Sequence, residues 1–166
     1  MRLCGQQAVW NYEEENGLLT IQGVGAMEDY TEPEQVPWNS LMQEIKVVVI
    51  RDGITTVGDY AFAGCSNLQE VTLPGSVEIV GVFSFKGCTG LREIVIPEGV
   101  RVLASKAFQF CSALKKVYLP STLIDVDMRA FGKCESLEEV FYQGSEEQWE
   151  QIMISRSASD NRYLVQ

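Results

Sequence analysis

Apolar and polar positions along the chain follow one fixed period. In Leu68 to Gly90, LQEVTLPGSVEIVGVFSFKGCTG, apolar residues open the unit and return at its fourth and sixth positions. Near copies follow at steps of 23 residues, at 45–67, 91–113 and 114–136, and a partial fifth copy covers 137–143. The openers are Ile45, Leu68, Leu91, Leu114 and Leu137. Val48, Val71, Ile94, Val117 and Val140 come three residues later, and Ile50, Leu73, Ile96, Leu119 and Tyr142 two after those. Further columns are Ile54/Val77/Val100/Leu123, Val57/Val80/Leu103/Val126, Phe62/Phe85/Phe108/Phe131 and Cys65/Cys88/Cys111/Cys134. One copy cannot bury these side chains alone, whereas stacked copies turn each column into a ladder. The pattern predicts a mostly β solenoid of about five coils with stacked parallel strands.

Within a coil, the first six residues read as a strand whose fourth and sixth side chains point inward. Pro74, Pro97 and Pro120 stop it. A second short extended piece carries Val77 and Val80 or their equivalents. Asp59 to Cys65 and its copies are too short for a full helix and predict one helical turn that presents Phe to the core.

The flanks do not repeat. Gln7–Tyr12 and Leu18–Gln22, joined at Asn16-Gly17, read as a β-hairpin that Gly23 and Gly25 end. Trp38 to Glu44 predicts one or two helical turns. Residues 1–44 are therefore expected to cap the N-terminal end, where core and strand edges would otherwise lie open. The fifth copy changes character at Gly144. Ser145 looks like the N-cap of a helix in which Trp149 and Ile152 share a face, so 144–166 is expected to form the C-terminal cap. Ser155 to Asn161 is polar and expected to be loose.

The net charge of −10 argues against nucleic acid and anionic lipid surfaces as partners. No apolar run is long enough to span a bilayer. MRLCGQQ is not a secretory signal, which leaves the compartment open. The chain has no histidine, which excludes Ser-His-Asp and Cys-His catalysis and histidine metal sites.

The four cysteines spaced by 23 should sit ~5 Å apart in adjacent coils. Their side chains would run parallel, which suits buried free thiols better than disulfides. The outer two, Cys65 and Cys134, would be ~15 Å apart, too far to share a zinc ion. Cys4 has no obvious partner. Gly23-Val24-Gly25 lacks the third glycine and the βαβ setting of a nucleotide loop. Asp125 and Asp127 flank Val126, but nothing supplies a pocket for acid–base work. No cofactor, metal or catalytic residue is assigned.

The outward face of the sheet is more informative. Its fifth strand position reads Val49, Thr72, Val95, Tyr118 and Phe141, an apolar stripe that is aromatic at one end. Arg92 and Lys116 are among the charged residues beside it. Val95, Tyr118, Phe141, Arg92 and Lys116 are the candidate partner-binding residues, since aromatic side chains with nearby cations suit protein recognition. β-Propensity alone would also place Val, Thr and aromatics here.

GDYAFAGC at Gly58–Cys65 and LQEVTLP at Leu68–Pro74 carry a resemblance to the BspA-type, or Treponema pallidum-type, leucine-rich repeat. CGQQAVWNYEEENGLLTIQGVGAMEDY and VFYQGSEEQWEQI are similar to modules that flank such repeats in secreted proteins of gut Firmicutes. The resemblance covers nearly the whole chain. Val82-Phe83-Ser84 departs from it, with Ser84 where a small Ala is usual. It implies a leucine-rich-repeat solenoid with an extracellular or surface-displayed, noncatalytic role. The partner would be a host protein or another bacterial surface protein. The alternative is a structural spacer within a larger cell-surface protein.

Overall fold

The computed structural model describes residues 2–155 and 161–164. An antiparallel pair, β1 (Gln7–Glu13) and β2 (Leu18–Ala26), opens the chain. Two strands per coil follow. They are β3 (Val47–Ile50) and β4 (Ile54–Val57), β5 (Glu70–Thr72) and β6 (Ile79–Val80), β7 (Glu93–Val95) and β8 (Val102–Leu103), then β9 (Lys116–Leu119) and β10 (Asp125–Val126). The last are β11 (Glu139–Tyr142) and, after a short helix, β12 (Met153–Ile154).

The sequence period is the sheet register. Val47 faces Glu70, Glu93 faces Lys116, and Lys116 faces Glu139, all in parallel pairs. Odd-numbered strands from β3 form the front of the solenoid. Even-numbered strands form the back sheet, ordered β12-β10-β8-β6-β4-β2. The front is not continuous. β2, β3 and β5 belong to one sheet and β7, β9 and β11 to another. The predicted stripe is thus divided between Thr72 and Val95.

Two expectations need correction. Gly23 and Gly25 do not end the hairpin strand. Leu18–Ile21 pairs with β3 on the front, and Gly25 and Ala26 pair with β4 on the back. The positive φ angles of Gly23 (121°) and Gly25 (93°) let one strand turn the corner between both sheets. A Cβ at Gly23 would lie 2.0 Å from the Gln7 carbonyl oxygen, so glycine is required.

The expected helical turn at Asp59–Cys65 is absent. The N–H groups of Tyr60, Phe62 and Gly64 donate to Val82, Ser84 and Lys86 carbonyls of the next coil, at 2.9, 2.7 and 2.7 Å. Those of Ala61, Ala63 and Cys65 bond back to Gly58, Tyr60 and Phe62. An α-helix would use all of these groups internally. Here every second one reaches outward, so the third side of each coil is also a ladder between coils.

That ladder positions the core. Phe62, Phe85, Phe108 and Phe131 are fully buried and stack with centroids 5.2, 5.2 and 5.3 Å apart. Each buried ring contributes roughly 1.5–3 kcal/mol. The cysteine column packs beside them, and all five thiols are buried and free. Cys88, Cys111 and Cys134 each donate S–H to a phenylalanine carbonyl of the preceding coil, at 3.2–3.3 Å. The column therefore bonds as well as packs.

Both ends are closed by side chains that stand in for a missing coil. Trp38, preceding a single 3₁₀ turn at Asn39–Leu41, stacks on Phe62 at 5.5 Å and is itself met edge-on by Trp10. At the other end α1 (Glu146–Gln151) starts at the predicted N-cap Ser145, which also forms a capping box with Gln148. The loose segment expected at Ser155–Asn161 falls mostly outside the described residues, at 156–160. Asn161 is an exception to that expectation, being fully buried. Its Oδ1 accepts the Phe131 N–H at 2.9 Å, and its Nδ2 donates to the Asp127 carbonyl at 2.8 Å.

Candidate interaction surface

Alternation along β7, β9 and β11 sends Ile94, Val117 and Val140 inward and the residues on either side outward. Val95, Tyr118 and Phe141 are consecutive partners in the parallel register. The Tyr118 and Phe141 rings stack at 4.8 Å with planes 16° apart. Val95 is 52% exposed and Phe141 39%. The structure therefore brings three of the five sequence-predicted residues into one exposed file.

Lys116 lies two residues from Tyr118 on the same face, between Glu93 and Glu139 in the register. Its ammonium bonds Glu139 at 3.4 Å, and that carboxylate holds the lysine above its usual range. The pair is solvent-exposed and borders the file, so its contribution to stability is small. Arg92 is not part of the file. It lines a groove of about 470 Å³ with Asn67, Gln69 and Thr89, where the front sheet is divided.

Two surface features escaped the sequence reading. The back sheet carries its own outward file, Thr56, Ile79, Val102, Asp125 and Met153. Ile79 and Met153 are 40% and 64% exposed, but Asp125 interrupts the apolar run. Burial, followed by the nearby Asp127 charge, pushes the Asp125 carboxyl up. Alternation within two-residue strands is too short to have revealed this file. The second feature is the turn side, which a helical expectation hid. Among the described residues no group of acidic, Cys or His side chains is placed to hold a metal ion. No described helix is long and apolar enough to cross a membrane.

The BspA type leucine rich repeat region matches residues 40–159 in six copies. The chain belongs to this family. Leucine-rich repeats of this kind are generally protein-interaction or scaffold modules and typically non-catalytic. Similar solved structures are bacterial leucine-rich repeat proteins. A leucine rich cell surface protein from Faecalibacterium prausnitzii shares 22% identity with a TM-score of 0.73, over 93% of this chain and 42% of its own. A leucine-rich repeat protein from Eubacterium ventriosum shares 23% at a TM-score of 0.66, over 87% of this chain and 44% of its own. The leucine rich repeat protein of T. pallidum shares 17% at 0.53, over 86% and 84%. These likenesses establish the fold. The chain spans less than half the length of the first two. A search among curated proteins finds no match.

Proposed function

We propose that this BspA-type repeat region is a noncatalytic recognition module of a secreted or surface-displayed bacterial protein. It captures a host extracellular protein or another bacterial surface protein on the front face of β7, β9 and β11. The observation that carries this reading is the exposed Val95–Tyr118–Phe141 file with its two stacked rings. Each ring fixes the other, so the file loses little side-chain entropy on binding. Lys116 supplies charge at its border and Arg92 a second, neighbouring contact in the groove. Surface display is supported by the F. prausnitzii relative, which is a cell surface protein.

The test is the double variant Tyr118→Ser, Phe141→Ser, assayed against extracellular-matrix and bacterial surface proteins. Neither side chain belongs to the buried core, so Tm should hold. The expected result is capture by the parent chain and loss of it in the variant. Undiminished capture, or none by the parent chain across the panel, would instead support a spacer within a larger surface protein.

A further inference from the structure

Among the described residues, six other than glycine have positive φ: Tyr60, Phe83, Lys106, Phe110, Arg129 and Lys133, at 54–62°. L side chains are strained there, and Asn, Asp or Gly would be the least costly occupants. None of these six is Asn or Asp; three are aromatic and three cationic. All six lie on the turn side. Tyr60, Phe83, Lys106 and Arg129 form one column of the 23-residue period. Gly64, Gly87, Phe110 and Lys133 form another, so glycine is accommodated in the second column in two coils and replaced in the next two. Strain retained under bulky side chains points to a use for them.

The side chains on this surface are arranged around Phe83. Its ring packs against Tyr60 at 4.8 Å and carries two ammonium groups, Lys86 at 5.0 Å and Lys106 at 4.9 Å from the centroid. Neither lysine, nor Lys133, forms an ion pair among the described residues. Two nearby acids are committed to backbone N–H groups: Asp59 accepts from Val82 at 2.7 Å and Asp127 from Met128 at 2.6 Å. Three lysines without an ion-pair partner among the described residues thus share one side of a chain of net charge −10, where Asp59 and Asp127 keep their charge but turn it to the backbone. Beside them Phe110 and Met128 are 45% and 43% exposed.

We infer that the turn side of the second to fourth coils is a second docking surface, which takes an acidic protein segment bearing an apolar side chain. Lys86, Lys106 and Lys133 meet its carboxylates, and Phe110 and Met128 meet the apolar group. The exposed Phe and Met favour a peptide over an acidic polysaccharide, which would leave them wet. The overall negative charge disfavours a nucleic acid.

The probe is a fluorescent peptide of Glu and Phe residues, titrated at low and moderate salt. Saturable binding that weakens with salt is expected. Lys86→Glu with Lys106→Glu should lower affinity at least about tenfold. Lys133→Gly should weaken binding with Tm unchanged or raised, because its column already takes glycine; a purely structural lysine would give no binding change. Tyr118→Ser with Phe141→Ser should leave this binding intact, which separates the two surfaces. Absence of peptide binding, indifference to the charge reversal, or a Tm loss in Lys133→Gly would overturn the inference. So would tighter binding of a sulfated polysaccharide or single-stranded oligonucleotide through the same lysines.

Discussion

The Trp38 indole lies over Phe62 at 5.5 Å with planes 19° apart, and its Nε1–H donates to the Ala61 carbonyl at 2.8 Å. It fills the place a preceding coil's phenylalanine would take and satisfies a backbone acceptor as well. Trp38→Ala should cost ~3–5 kcal/mol in urea denaturation. Trp38→Phe keeps a ring but leaves the buried Ala61 acceptor without its donor, and should cost roughly 1–3 kcal/mol.

Ser84 is fully buried, and its Oγ has no hydrogen-bond partner. In the other coils alanine holds this position, at Ala61, Ala107 and Ala130. Ser84→Ala removes an unsatisfied hydroxyl and opens almost no cavity. It should raise the urea midpoint, with a gain of about 1–2 kcal/mol. Ala107→Ser should lower stability by a similar amount.

Burial pushes the Cys65 thiol from its ordinary 9.0 to about 12, and burial with the Glu28 charge does the same for Cys4. Between those values the unfolded chain releases protons that the folded chain retains. Stability from these thiols is therefore complete below pH 9.0 and falls as pH rises toward 12. The slope is about 1.4 kcal/mol per pH unit for each thiol. Thermal melts across that window should show the decline, and Cys65→Ala should flatten part of it. Native Cys65 should also react slowly with iodoacetamide at neutral pH.

Asn161 closes the last turn ladder through Phe131 N–H and the Asp127 carbonyl. Asn161→Leu is close in volume but strands both groups. A loss of ~2–4 kcal/mol is expected. Hydrogen exchange at the Phe131 amide should accelerate more than at Phe85, two coils inward.

The interior of this fold was legible because one period fixes everything that repeats. Phe62 to Phe131, Cys65 to Cys134 and the strand register could all be read from spacing alone. What escaped reading does not repeat or has no local signature. Trp38 continues the phenylalanine ladder from outside the period. Asn161 mimics a coil with a single side chain. The left-handed turn was hidden because Tyr60, Phe83, Lys106 and Arg129 occupy a column where glycine would have announced it. The outward file was foreseen as far as Val95, Tyr118 and Phe141. The division of the front sheet before Val95, and with it the separate position of Arg92, depends on how neighbouring coils meet.

The turn ladder presents the same backbone donors and acceptors at every level, and the coils that Trp38 and Asn161 bond are the ones next to them. A duplication or deletion of 23 codons in phase would add or remove one storey and leave both terminal seals untouched. The height of such a column can therefore change in whole steps, while the chemistry of its two ends stays fixed.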